Sequence, residues 1–187
     1  EPYASVFVVF RDAAGDGRPG SWRIVGEQAI DGPWELRFPE GWKTPETVTL
    51  ASLKSWTEME DVEVRHFNGI ATYSTTFTVA QDEREGRKAR LDLGRVADIA
   101  EVWLNGQRVG IAWQAPYRLD ITDALHAGEN RLELRITTPW HNRLVRDADL
   151  AKAERVSRMY PESRYTRFKG RTLIASGLLG PVRIQWM

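Results

Sequence analysis

One stretch, residues 101–111, restricts the fold more than any other. Val102 and Leu104 alternate with Glu101 and Trp103, Asn105 and Gly106 tolerate the positive φ of a tight turn, and Val109 and Ile111 resume the alternation. A period of two on each side of an Asn-Gly pair predicts two antiparallel strands. The same period recurs elsewhere. Trp34 to Phe38 alternates Trp, Leu and Phe with Glu and Arg. Ala71 to Val79 sets Tyr73, Phe77 and Val79 on one face and Thr72, Ser74, Thr76 and Thr78 on the other, and Leu132, Leu134 and Ile136 repeat the pattern. Further strands are expected at Ser5–Phe10, Ala89–Leu93, Tyr117–Ile121, Leu173–Ala175 and Val182–Trp186. Many short strands punctuated by Gly, Pro and Asn, without alternating long helices, predict an all-β antiparallel sandwich rather than a doubly wound fold. Phe77, Val102, Leu134 and Ile136 are expected in one shared core.

At 187 residues the chain is read as a single domain, with 1–30 as a peripheral strand and loop. Arg11 to Ser21 holds too much Gly and Pro for a strand. Twenty-six basic residues balance 26 acidic ones, which argues against a nucleic-acid partner. Apolar runs such as Val6–Phe10 fall far short of the ~20 residues that span a bilayer, so no membrane partner is expected. The chain opens on Glu1 without the charged start and apolar segment of a signal peptide, so any leader is expected to be gone or to belong to a longer parent. With no cysteine, neither a disulfide framework nor a thiolate metal site is available.

Catalytic motifs are missing. His66, His126 and His141 lie far apart, no Gly-x-Ser-x-Gly elbow occurs, and phosphate-cradling glycine patterns are absent. Twenty-six carboxylates make pairs for glycoside hydrolysis easy to name and impossible to select. No cofactor is expected; a zinc site on the scattered histidines would need ligands assembled by the fold alone, and a structural calcium would be held by Asp12 and Asp16 or by Asp147 and Asp149.

Residues 139–171 break the strand rhythm with nine basic residues against four acidic ones. Leu150, Ala153, Val156 and Met159 recur at near-helical spacing, which predicts a helix over Asp149–Met159 capped by Asp147. Its charges either face solvent or attract an acidic polysaccharide. A single helical turn is expected at Thr122–Gly128, capped by Thr122. Sugar sites combine a ring on which a pyranose stacks with fixed donors and acceptors. Trp113 and Tyr117, together with Trp140, His141, Asn142 and Arg143, offer that combination. The competing reading makes Trp113 and Trp140 plugs at the ends of the core, with Asn142 and Arg143 tying a loop to backbone carbonyls.

Residues 91–130, with Gly69–Phe77 upstream, resemble the sugar-binding jelly-roll domain of family 2 glycoside hydrolases. Pro139–Leu144 and Ala175–Arg183 narrow the resemblance to the C-terminal sandwich of α-L-rhamnosidases of glycoside hydrolase family 106. The resemblance covers roughly residues 30–187 and implies a galactose-binding-like fold. It further implies catalytic carboxylates on a separate barrel, which takes about 250 residues. By that resemblance the chain is an ancillary, non-catalytic domain that is secreted or periplasmic and meets rhamnose-containing carbohydrate and the catalytic domain of its parent. Two alternatives stand beside this: a purely structural brace with an exposed apolar patch, and a small independent glycosidase.

Overall fold

The computed structural model describes residues 23–84, 86–159 and 161–187. The expected strand Ser5–Phe10 and the loop Arg11–Ser21, with Asp12 and Asp16, lie outside the described residues. The strands are β1 (Gly26–Ala29), β2 (Trp34–Arg37), β3 (Thr47–Leu50), β4 (Gly69–Val79), β5 (Ala89–Asp92) and β6 (Arg95–Ala97). They continue with β7 (Ile99–Leu104), β8 (Gln107–Ala112), β9 (Arg118–Asp120), β10 (Gly128–Thr138), β11 (Gly177–Gly180) and β12 (Arg183–Trp186). Three short helices, α1 (Val62–Arg65), α2 (Gln81–Arg84) and α3 (His141–Ala148), sit between them.

One sheet has the order β1-β12-β5-β9 and the other β3-β2-β4-β10-β7-β8, while β11 and β6 pair separately. The strand pairs are antiparallel, and β4 and β10 are matched over their full lengths, from Gly128 opposite Val79 to Thr138 opposite Gly69. Alternation decides what lies between the sheets. Ala71 and Tyr73 of β4, Leu132, Leu134 and Ile136 of β10, and Ala100, Val102 and Leu104 of β7 are buried. They share one core with Leu91 of β5 and Ile184 and Trp186 of β12, and Phe77 packs against it half-buried. Each fully buried large aliphatic side chain contributes about 1.5–3 kcal/mol. The fold is therefore the expected antiparallel sandwich.

The Asn-Gly turn forms as expected, with φ of 53° at Asn105 and 79° at Gly106. Asn105 also ties the turn down: its Nδ2 donates to Ala124 O and Asn130 Oδ1, both at 2.8 Å, and its Oδ1 accepts from Arg131 N at 2.9 Å. A bulge between Val102 and Trp103 changes the phase of β8, so Val109 packs on the core while Ile111 faces outward. On the core side, Trp56 stacks on Tyr73 and donates from Nε1 to Tyr73 Oη at 2.6 Å. Gly177 passes over this pair with φ of 91°, and a Cβ there would lie 2.6 Å from Trp56 Nε1. Only glycine fits.

Four expectations are corrected. The helix in the basic segment is His141–Ala148, ending where Asp149–Met159 was expected to begin; beyond it come only short 3-10 turns at Lys152–Glu154 and Glu162–Arg167. Asp147 is not a helix N-cap, because its fully buried carboxylate accepts from Arg143 and from Ser157 N and Oγ, folding the chain back over α3. Leu173–Ala175 is not a strand: Asn142 bridges Ile174, taking its N–H at Oδ1 and donating to its carbonyl, so that backbone bonds to a side chain instead of a sheet. At the Thr122 corner Asp120 Oδ1 accepts from Thr122 N, while Thr122 Oγ1 accepts from Ala89 N and fastens the corner to β5.

Candidate functional site

Two of the six expected sugar-site residues, Trp113 and Trp140, keep their rings at the surface, while Tyr117 packs half-buried against the core. Ala112 pairs with Ala100, so Trp113 lies one residue beyond the last pair, level with Ile99 at the start of β7. It is 68% exposed. Trp140, two residues past the end of β10, is 50% exposed, and its carbonyl accepts from Leu144 N as α3 begins. Tyr117 is half-buried just before β9; burial, with the Asp98 carboxylate adding to it, raises its hydroxyl pKa above the usual value of 10.0. β7 starts, and β8 and β10 finish, at the same end of the six-stranded sheet, which brings Trp113 and Trp140 to one end of the sandwich. By contrast, Trp34, Trp56 and Trp186 are fully buried.

The polar half of the expected site belongs to the scaffold. Asn142 and Arg143 are each 2% exposed. Asn142 clamps Ile174 as described, and Arg143 donates from Nε and Nη2 to Asp147 and from Nη1 to Glu63 Oε2 at 2.9 Å. Their donors hold the 172–176 segment and α1 against α3. His141 donates from Nε2 to Thr172 O at 3.0 Å and lies edge-on to Phe168. Trp113 and Trp140 thus stay exposed while Asn142 and Arg143 are packed away.

Of the two carboxylates named for calcium in this segment, Asp147 accepts from the Arg143 guanidinium and from Ser157 N and Oγ. Among the described residues no group of three or more His, Asp or Glu side chains is placed to hold a metal ion. No helix among them is long and apolar enough to cross a membrane.

Sequence reading missed an apolar row on the outer face of the six-stranded sheet. Ile70 pairs with Thr137, and Thr137 with Ile99, beside Trp113; Ile111 lies on the neighbouring strand. Ile70, Ile99 and Ile111 are 53%, 39% and 46% exposed. The signal was available: Ile70 and Ile99 fall out of phase with Ala71, Tyr73, Ala100 and Val102, at positions that polar residues otherwise hold.

Residues 55–171 match the family of glycosyl hydrolase 2 galactose-binding domain-like proteins. The chain belongs to that family. This galactose-binding-like domain is similar to a putative β-glucuronidase of Formosa agariphila, 39% identical over 177 residues, a match that covers 83% of this chain and 15% of that protein. It is also similar to the solved rhamnosidase from Novosphingobium sp. PP1Y, with 38% identity and a TM-score of 0.72 over 96% of this chain and 16% of that one. The β-glucuronidase of Bifidobacterium dentium shares the fold at 23% identity and a TM-score of 0.60, over 86% of this chain and 30% of its own. The galactose-binding-like domain thus spans 15% and 16% of the first two relatives, an ancillary part of glycoside hydrolase-like proteins.

Proposed function

We propose that this domain is the non-catalytic carbohydrate platform of an α-L-rhamnosidase of glycoside hydrolase family 106, secreted or periplasmic, with Trp113, Tyr117 and Trp140 meeting a rhamnose-containing glycan. One observation carries the reading: Trp113 and Trp140 stay 68% and 50% exposed at the same end of a sandwich that buries Trp34, Trp56 and Trp186 completely. Exposed indole faces lose water favourably to the C–H face of a pyranose, and a 6-deoxy sugar such as rhamnose adds a methyl group to that face. The similarity to the Novosphingobium rhamnosidase over 96% of this chain supports the parent.

The displaced carboxylates of the described residues belong to ion pairs and hydrogen bonds of the scaffold. A general acid in a glycosidase needs a carboxyl held above its ordinary pKa. Among the described residues the displaced carboxyl groups, Glu27, Glu101, Asp120, Asp147 and Glu162, are displaced downward. For Glu27, Glu101 and Glu162 the leading cause is a hydrogen bond from Arg183, Arg108 and Lys152 respectively. A glycan array probed with the 187-residue chain tests the reading; the expected hits are rhamnose-containing oligosaccharides, and an array without them counts against it.

A second reading is favoured by the row Ile70, Ile99 and Ile111. Exposed β-branched side chains on one face of the sheet suit a contact with another domain of the parent, which would make the sandwich a brace. Trp113 adjoins that row, whereas Trp140 lies beyond the end of β10, so Trp140 separates the two readings.

A further inference from the structure

We propose that the excursion following β10 carries a binding site for an oxyanion-bearing sugar, a pyranose with a carboxylate or a sulfate ester, in a depression walled by Lys152, Arg155, Ser157, Arg158, Met159 and Tyr165. The inference rests on the carbohydrate reading above and adds a second site with its own ligand class. The depression measures about 520 Å³, inside the ~300–1,000 Å³ span of small-molecule sites. Lys152, Arg155 and Arg158 face it against one carboxylate, Glu162, which leaves an excess of two positive charges. Glu162 is already paired, with Oε1 at 2.5 Å from Lys152 Nζ.

The walls are set before a ligand arrives. Asp147 accepts from Ser157 N at 2.7 Å and Oγ at 2.5 Å, and Tyr165 Oη donates to Ser157 O at 2.7 Å while accepting from Met159 N at 3.2 Å. Arg155 donates through Nε to Asp147 O at 2.9 Å and Leu150 O at 3.0 Å, and its guanidinium carbon lies 4.3 Å from the centre of the Tyr165 ring. That fixes the guanidinium by its inner nitrogen. Among the described residues no hydrogen bond or ion pair engages the terminal nitrogens of Arg155 or any nitrogen of exposed Arg158. Guanidinium groups present paired N–H donors that match two oxygens of a carboxylate or sulfate, and such charge-assisted bonds are about twice as strong as neutral ones. A pre-shaped wall also loses less order on binding. Ala153 and Met159 supply the apolar side against which the sugar ring rests.

Isothermal titration of the 187-residue chain with three probes of equal length tests the site: an oligogalacturonide, a sulfated galactan oligosaccharide and a neutral galacto-oligosaccharide. At least one anionic probe is expected to bind more tightly than the neutral one, with affinity falling as salt rises. Arg158→Gln should weaken that binding about tenfold with an unchanged melting temperature. Arg158→Lys, which keeps the charge and loses the paired donors, should fall between. The tighter of the two anionic probes assigns the oxyanion. Equal binding of all three probes, no binding of the anionic ones, or an anionic preference indifferent to salt and to both Arg158 variants overturns the site. Neutral-glycan binding that depends on Trp140 would survive each of these outcomes, so the platform and this site fail separately.

Discussion

Arg143 donates to Asp147 from Nε at 2.8 Å and from Nη2 at 2.7 Å, one helical turn apart, with both side chains buried. Burial pushes the Asp147 carboxyl up, and the bonds from Arg143 and Ser157 outweigh it, leaving its pKa below the ordinary 3.8. The pair anchors α3 on one side and, through Ser157 and Tyr165, the irregular excursion on the other.

Asp147→Asn leaves the Arg143 charge buried with Glu63 as its remaining ionic partner, and should cost about 3–5 kcal/mol in urea unfolding. A carboxyl whose folded pKa is depressed contributes stability that is present above 3.8 and lost as pH falls through the lower folded value. Wild type should therefore lose stability as pH falls below 3.8, and the variant should lose less. Equal acid sensitivity in both proteins would contradict the role given to this pair.

Tyr73 accepts two buried bonds at one oxygen, from Trp56 Nε1 at 2.6 Å and from Leu178 N at 3.2 Å, while burial raises its own pKa and keeps the hydroxyl neutral. Tyr73→Phe strands both donors and should destabilise the fold by about 1–3 kcal/mol. A denaturant midpoint within error of wild type would show that the two donors find other partners.

Leu134 lies at the centre of β10 opposite Tyr73 on one side and Val102 on the other, and is fully buried. Leu134→Ala should cost about 2–5 kcal/mol, the range for a large aliphatic side chain removed from a packed core. A loss below ~0.5 kcal/mol, typical of surface positions, would place this residue outside the core.

Strands were legible where a period of two met a half-buried sheet, as in Leu132, Leu134 and Ile136, and the Asn105-Gly106 turn was legible because few residues accept its φ. β11 was not, since Gly177 to Gly180 forms a strand by pairing with the distant β6 rather than through alternation. The basic excursion misled for a different reason. Leu150, Ala153, Val156 and Met159 are spaced as a helix, but the buried demand of Asp147 for Ser157 bends the chain away from one. The i,i+4 pairing of Arg143 with Asp147 was the available signal for α3. Of the site, sequence left Trp113 and Trp140 between platform and core plug, since an indole suits both, and their exposure appears only in the fold; Asn142 and Arg143 look identical in sequence whether they face a sugar or a neighbouring loop. Only the partners, Ile174 and Asp147, tell the two apart.

The most direct test of the platform is titration of a rhamnose-containing oligosaccharide into wild type and Trp140→Ala, with a thermal melt of each. Trp140 is 50% exposed, so its loss should leave the melt nearly unchanged and weaken binding by about 1–3 kcal/mol, the range of other ring-on-aromatic stacks. Unaltered binding in the variant, no binding in wild type, or a melt lowered by several kcal/mol would contradict the account and leave Trp140 a structural plug.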